Sequence, residues 1–120
     1  MSFDPMALAV DWFDAYRSSD LAAIISLYDA DASLECNCGG SGMTIIGSHA
    51  VRAYWAERFL KKPFLELDDI APNGNMTELF YRTKSGNVRA LLKMNTDGKI
   101  SYSKCQPVIP ARSYIGEARV

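Results

Sequence analysis

The stretch that decides the fold runs from Asp20 to Cys38 and reads D-L-A-A-I-I-S-L-Y-D-A-D-A-S-L-E-C-N-C. Its first half predicts a short amphipathic helix, because apolar residues recur at the i, i+3, i+4 and i+7 positions of one face, namely Leu21, Ile24, Ile25 and Tyr28. After a tight turn, the alternation from Ala32 to Cys36 predicts a strand with Ser33 and Glu35 on one face. The helix needs a sheet to cover its apolar face, and the strand needs neighbours, so the rest of the chain has to supply both.

Two further helices are predicted, one on each side of this stretch. The first begins at Asp4-Pro5 and ends at about residue 17 or 18, because Asp caps free amides and Pro fits the first helical position. The third spans about 48–60, and Pro63 ends it. Both carry an apolar stripe, formed by Leu8, Trp12 and Tyr16 in the first helix and by Val51, Trp55 and Phe59 in the third. Core packing and the lining of a cavity are both open interpretations of these stripes.

From residue 64 the apolar period changes from that of a helix to that of a strand. Three turn dipeptides, Asn73-Gly74, Ser85-Gly86 and Asp97-Gly98, separate four predicted strands, which are Phe64 to Ile70, Met76 to Thr83, Val88 to Met94 and Ile100 to Gln106. This spacing predicts an antiparallel meander that is strongly curved and twisted. The fold class is therefore α+β and cone-shaped, with three N-terminal helices packed on a strongly curved antiparallel sheet.

Length and charge restrict the organisation and the partners. With 120 residues, the chain is predicted to form one domain over residues 1–106, and the tail 107–120 is expected to pack on the domain or on a dimer partner. The net charge is −1 and no run of Lys or Arg occurs, which argues against nucleic acid and membrane surfaces as partners. No export signal and no apolar run of about 18 residues is visible, so we expect a cytoplasmic protein with reduced thiols.

The order of these elements resembles the nuclear transport factor 2-like superfamily, with a cystatin-like cone. The resemblance is carried by D-L-A-A-I-I-S-L-Y-D-A-D-A-S-L-E and the following I-I-G-S-H-A-V-R-A-Y-W, and it covers residues 5–106. The superfamily includes ketosteroid isomerases, SnoaL-type polyketide cyclases and limonene epoxide hydrolase, together with non-catalytic association and transport modules. The resemblance implies a fold and leaves the activity open.

The catalytic residues of these relatives do not carry over. The resemblance places Cys36 where ketosteroid isomerases hold their aspartate base, and it places Trp12 and Ala90 where they hold the two oxyanion donors. An indole N–H donates a hydrogen bond but does not supply the acidic proton of a phenol. The run Arg89-Ala90-Leu91 offers the arginine of an epoxide hydrolase without its aspartate. Neither activity is therefore expected.

What the resemblance does imply is an aromatic, mostly apolar pocket for a small hydrophobic ligand. The predicted lining residues are Trp12, Tyr16, Cys36, Tyr54, Trp55, Phe59, Phe80, Ala90, Leu92, Ser103 and Cys105. Glu78 is the candidate general base, since a carboxylate buried among aromatic side chains has its pKa raised toward neutrality. The alternative is that Glu78 lies at the rim and pairs with Arg82.

Few residues in the sequence offer metal or thiol chemistry. Cys36, Cys38, Cys105 and His49 are zinc-ligand types, but the Cys-x-Cys spacing has no second pair, so no metal and no cofactor are predicted. Two interpretations of His49 stay open, namely a base for a Cys36 nucleophile and an exposed residue at the start of a helix. The glycine-rich residues 37–42 match no phosphate-binding motif, and a plain loop is expected there.

Apolar residues expected on the outer face of the sheet indicate a protein partner. Apolar residues on a second sheet face need cover, and the residues expected there are Leu79, Tyr81, Leu91 and Tyr102. We therefore expect a homodimer through this face. The functional expectation is a SnoaL-like protein with a hydrophobic pocket, acting as an isomerase, cyclase or dehydratase on an unknown substrate. The alternative is a non-catalytic ligand-binding or dimeric association module.

Overall fold

The computed structural model describes residues 3–37, 42–62 and 64–108. Three helices and six strands occur there, in the order α1 (Pro5–Arg17), α2 (Leu21–Ser26), β1 (Tyr28–Cys36), β2 (Met43–Ile46), α3 (Ser48–Leu60), β3 (Glu66–Asn73), β4 (Met76–Thr83), β5 (Gly86–Met94) and β6 (Ile100–Pro107). The strands form one sheet in the order β2-β1-β6-β5-β4-β3. The predicted α+β class, with helices followed by a meander, is confirmed.

Each helix begins at the residue that the sequence predicted. The Asp4 carboxylate accepts from the Met6 amide at 3.0 Å, and the Asp20 carboxylate accepts from the Ala23 amide at 3.1 Å. These bonds satisfy amides that the first turn of a helix leaves unpaired. Gly47 precedes α3 with φ of 92°, a conformation that favours glycine.

Tyr28 lies on a strand and not on the helix where the sequence prediction placed it. The helix α2 ends at Ser26, and the Ile100 amide donates to the Leu27 carbonyl at 2.8 Å. Tyr28 is then opposite Ile100, so β1 starts at Tyr28 and not at Ala32. The pairing with β6 thus ends the helix, and the Tyr28 side chain is still buried.

The sheet is antiparallel except where β1 pairs with β6. The meander β3-β4-β5-β6 and the pair β1-β2 are antiparallel, whereas β1 and β6 run parallel with Cys36 opposite Cys105. Register shifts occur within the pairs β1-β6, β3-β4 and β5-β6. Such irregularities bend strands and increase their twist, which is how a six-stranded sheet curves around the helices.

The predicted faces of β4 are wrong. Leu79 and Tyr81 are 0% and 1% exposed and point toward the helices, whereas Phe80 lies on the opposite face. A two-residue hairpin turn pairs odd-numbered residues of β4 with even-numbered residues of β5, as in Leu79 opposite Ala90. Because cross-strand partners share a face, an inward Ala90 requires an inward Leu79 and an outward Phe80.

An aromatic cluster joins the helices to the sheet. Trp12 of α1 packs edge-on against Tyr16 at 5.5 Å and against Trp55 of α3 at 5.9 Å between ring centroids. Tyr81 of β4 contacts Phe13 at 5.5 Å. Edge-to-face pairs contribute about 0.5–1.5 kcal/mol each beyond the burial of their area. This cluster fills the interior of the cone and fixes the positions of α1 and α3 over the sheet.

The last strand runs one residue past the predicted domain boundary. Pro107 pairs with Val88, and the Val108 amide donates to the Asn87 carbonyl at 2.9 Å. Residues 109–120, most of the predicted tail, lie outside the described residues, as do Pro63 and residues 38–41. That the tail packs on the domain or on a partner stays a prediction. No helix in the described ranges is long and apolar enough to cross a membrane.

Candidate functional site

A small cavity lies between the helices and the sheet, in the interior of the cone. Its volume is about 10 Å³, which is about the space that one water molecule needs. It is lined by Trp12, Tyr16, Leu34, Glu35, Tyr54, Trp55, Arg58, Tyr81, Ser103, Lys104 and Cys105. The aromatic side chains therefore fill most of the space that the curved sheet encloses.

Hydrogen bonds connect Trp12, Tyr28 and Ser103 on one side of this cavity, and the indole of Trp55 lies beside them. The Trp12 indole donates to the Tyr28 hydroxyl at 3.2 Å, and that hydroxyl shares a hydrogen bond of 2.9 Å with Ser103. Burial raises the pKa of Tyr28 to about 12, although the bonds from Ser103 and Trp12 oppose the increase. The buried indole N–H of Trp55 forms no hydrogen bond of ordinary geometry in the described part of the chain, although its interaction with the Tyr28 hydroxyl also opposes the increase in that pKa. An oxygen atom entering the cavity would meet this donor.

Arg58 of α3 lies between the cavity and the open mouth of the cone. Its Nε donates to the Tyr16 hydroxyl oxygen at 2.7 Å. Its guanidinium carbon is 5.8 Å from the ring centroid of Tyr16 and 5.6 Å from that of Tyr54. These contacts fix the orientation of the planar guanidinium, and therefore also the orientation of its remaining N–H groups.

The mouth itself is an open cleft of about 870 Å³, within the range of small-molecule sites. It is lined by Tyr16, Cys36, Met43, Ile45, Ala50, Ala53, Tyr54, Glu57, Arg58, Lys61, Lys62, Phe64, Thr83, Lys84, Ser85, Gly86, Asn87, Val88 and Pro107. Tyr16, Tyr54 and Arg58 line both this cleft and the small cavity. They form the floor of the cleft and the roof of the cavity.

Tyr54 and two cysteines meet at this boundary. Cys36 and Cys105 are thiols on neighbouring strands and are opposite one another in register. Burial raises the pKa of Tyr54 above its ordinary value, and the Cys105 and Cys36 thiols add to the increase. Tyr54 therefore keeps its phenol proton at neutral pH, and its hydroxyl is hydrogen-bonded to Cys36. The described residues contain no group of three or more potential metal ligands, and Cys38 is outside them.

The structure brings together most, but not all, of the predicted lining residues. Six of them border the small cavity, namely Trp12, Tyr16, Tyr54, Trp55, Ser103 and Cys105, and Cys36 borders the cleft. Phe59 packs against Trp55 and Tyr16 at 5.6 and 6.4 Å, and it belongs to the core. Ala90 and Leu92 are buried in the sheet face without lining either space, and Phe80 is on the outer face.

The prediction that places Glu78 toward the cavity is wrong, and so is the alternative pairing with Arg82. Glu78 shares the outer face of β4 with Phe80 and accepts from the Arg89 Nε. Arg82 instead forms ion pairs with Glu66 at 3.0 Å and Asp68 at 3.1 Å. The pairing of β4 with β5 places Glu78 on the outer face of the sheet together with Phe80, so this carboxylate does not reach the site. His49 is exposed at the start of α3.

Sequence reasoning missed Arg58 and Tyr81 as site residues. Tyr54 and Arg58 are four residues apart on α3, so they share one helix face, and this spacing was a usable signal for Arg58. For Tyr81 the signal was the two-residue turn between β4 and β5. No pattern in the sequence indicates the hydrogen bond between Arg58 and Tyr16, which depends on how α1 and α3 pack.

Neither a family model nor a curated protein matches the sequence. Solved structures do match its fold. A SnoaL-like protein of unknown function from Burkholderia thailandensis E264 superposes with a TM-score of 0.75 at 20% identity, over 88% of this chain and 95% of that one. A putative polyketide cyclase from Sinorhizobium meliloti gives a TM-score of 0.73 at 18% identity, over 87% and 100%. SalBIII, an epoxide hydrolase/cyclase-like enzyme of salinomycin pyran ring formation, gives 0.72 at 15%, over 82% and 86%.

These likenesses establish the fold. The chain has the SnoaL-like fold, as the sequence resemblance implied. Because identities at this level do not transfer activity, the function has to be argued from the cleft and its residues.

Proposed function

We propose that this protein binds a small, planar, apolar molecule in the cleft at the mouth of the cone. The observation that carries the proposal is a cleft of about 870 Å³ whose floor is formed by the aromatic side chains of Tyr16 and Tyr54. A volume of this size and mostly apolar or aromatic walls are typical of small-molecule sites. Because the inner cavity has room for about one water, the body of the ligand lies in the cleft and not deeper.

Binding without catalysis is the form of this proposal that the side chains favour. Among the described residues that line the cavity and the cleft, the carboxylates are Glu35 and Glu57. Glu35 accepts a hydrogen bond of 2.7 Å from Tyr102, and Glu57 is exposed. Isomerases, cyclases and dehydratases of this fold need a base that reaches the ligand. Two structural neighbours are an epoxide hydrolase/cyclase-like enzyme and a putative polyketide cyclase, so catalysis is the alternative proposal.

Calorimetric titration with two planar bicyclic probes, 2-naphthoate and 2-naphthamide, tests the proposal. We expect saturable binding of at least one probe, and we expect Tyr54→Leu to weaken it by removing an aromatic wall of the cleft. Tyr102→Leu is the matched control, since it removes a tyrosine from the outer face. Absence of saturable binding for both probes, or equal losses in the two variants, would overturn the proposal. Turnover of a bound compound would show catalysis.

We also propose that the outer face of the sheet forms a homodimer interface. The corrected faces place Phe80, Leu91 and Tyr102 there, all only partly buried. All three helices pack on the other face, so these apolar groups have no cover from the described helices. Sedimentation velocity should show a dimer that Leu91→Asp converts to monomers. A wild-type monomer at micromolar concentration would refute this interface. Cytoplasmic location stays a prediction.

A further inference from the structure

We infer that the ligand of this cleft is an anion, a planar aromatic or unsaturated carboxylate whose acid group pairs with the Arg58 guanidinium. The inference rests on the proposed function, because it names the chemical class of molecule that the same cleft takes. Four observations on the floor and rim of the cleft support it, and each concerns a different property of the site.

The first observation is the position and pairing of Arg58. Its Nε is held by Tyr16 at 2.7 Å, and its guanidinium lies beside the Tyr54 ring. The ion pairs among the described residues engage Arg17, Arg82 and Arg89. Arg58 thus has no carboxylate partner in the described part of the chain, although it is only partly exposed. A cation kept at the floor of a cleft without a counter-ion favours an anionic ligand.

The second observation is the balance of charge around the cleft. Its charged lining residues are one acid, Glu57, and four bases, Arg58, Lys61, Lys62 and Lys84. The whole chain, by contrast, has a net charge of −1. The positive charge at the mouth is therefore local. A cleft lined by one sign of charge concentrates ions of the opposite sign and speeds their association.

The third observation is that the floor offers hydrogen-bond donors in excess of acceptors. Among the described residues, the Tyr16 hydroxyl accepts from the Arg58 Nε alone, so the N–H groups on the two terminal nitrogens of Arg58 remain for a ligand. A carboxylate has about four lone-pair positions, so it can accept from both terminal nitrogens of the guanidinium together. A neutral hydrocarbon would leave these donors unpaired.

The fourth observation concerns the shape of the remaining wall. Apolar side chains continue from the tyrosines to the rim, formed by Met43, Ile45, Ala53, Phe64 and Val88. An acid with an extended flat ring system would place its carboxylate on Arg58 and its ring along this wall. A small hydrophilic anion, such as phosphate, would gain nothing from these side chains.

Calorimetry with the same two probes tests the inference, because 2-naphthoate and 2-naphthamide differ in charge and hardly in shape. We expect 2-naphthoate to bind about tenfold or more tightly than 2-naphthamide, as hydrogen bonds to charged groups imply. Arg58→Gln should abolish this preference, with the larger loss in the affinity for 2-naphthoate. Arg52→Gln, which removes one charge from the exposed face of the same helix, should keep it.

The wild-type protein supplies a second test that needs no variant. Raising NaCl from about 0.05 to about 0.5 M, a range chosen to span strong screening, should weaken the binding of 2-naphthoate and leave the binding of 2-naphthamide unaffected. Equal affinities for the two probes, or a preference that survives Arg58→Gln, would overturn the inference while the proposed function stands. If neither probe binds, the proposed function fails and the inference fails with it.

Discussion

The guanidinium of Arg58 and the hydroxyl of Tyr16 are joined by a hydrogen bond of 2.7 Å that links α3 to α1. Tyr16 is 2% exposed and is itself fixed by edge-on packing against Trp55 at 4.9 Å between centroids. Arg58 is therefore held in the folded protein before any ligand arrives. A cation held in this way loses less conformational entropy on binding than an unrestrained one.

Tyr16→Phe should therefore weaken 2-naphthoate binding without changing 2-naphthamide binding. The substitution removes the acceptor of the Arg58 Nε and keeps the ring. One net hydrogen bond corresponds to about 0.5–1.5 kcal/mol, or roughly two- to tenfold in affinity. Calorimetry measures both affinities, and Tyr102→Phe is the control for loss of a hydroxyl elsewhere. Equal weakening of both probes would mean that the Tyr16 hydroxyl supports packing and not the orientation of Arg58.

The two buried tryptophans should differ in their contribution to stability. Both are 2% exposed, but the Trp12 N–H donates to Tyr28, whereas the Trp55 N–H forms no hydrogen bond of ordinary geometry among the described residues. Trp12→Phe and Trp55→Phe remove similar volumes, and only the first breaks a hydrogen bond. We expect urea unfolding to show a loss larger by about 1–2 kcal/mol for Trp12→Phe. An equal or larger loss for Trp55→Phe would contradict the hydrogen-bond assignment.

Alkaline pH should destabilise the protein through Tyr28. Its pKa is about 12 when folded against 10.0 for the ordinary side chain. Between these values the unfolded chain has released a proton that the folded chain retains, so stability falls by up to about 1.4 kcal/mol per pH unit. Below pH 10 this contribution is fully present.

The test compares unfolding free energies in three proteins at pH values between about 9 and 11.5, a range chosen to start below the ordinary pKa of 10.0 and to stay below the folded pKa of about 12. Tyr28→Phe should give a shallower decline than the wild type, whereas Trp12→Phe retains the phenol and should keep the wild-type slope. Parallel declines for the wild type and Tyr28→Phe would refute the raised pKa.

Adjacent residues of β4 should respond very differently to truncation. Leu79 is fully buried on the inner face, so Leu79→Ala should cost about 2–5 kcal/mol of unfolding free energy. Phe80 is partly exposed on the outer face, and Phe80→Ala should cost clearly less in the monomer. Urea unfolding at low protein concentration measures both. The reverse order would restore the original face assignment, with Phe80 and Glu78 toward the cavity.

The prediction of the fold from sequence rested on local signals that agree with one another. The caps Asp4 and Asp20 and the turn dipeptides gave the starts of helices and the ends of strands, because each feature acts over a few residues. The faces of β5 and β6 were also predicted, with Ala90 and Ser103 inward. The assignment of the faces of β4 was wrong because it did not use the register that the two-residue turn between β4 and β5 imposes.

The site was predicted only in part, for a physical reason. Trp12, Tyr54 and Trp55 could be placed because a helix face follows from periodicity. The role of Arg58 could not be predicted, since it depends on how closely α1 approaches α3 and on how completely the aromatic side chains fill the interior, where a cavity of about 10 Å³ remains. Parallel pairing of β1 with β6, which places Cys36 beside Cys105, is likewise a long-range result.

A crystal structure of the protein with 2-naphthoate tests the central claim most directly. We predict the naphthalene ring against Tyr54 in the cleft and the carboxylate within hydrogen-bond distance of the Arg58 guanidinium. Density for the compound on the outer face of the sheet, or in the cleft with its carboxylate turned to solvent, would contradict the account.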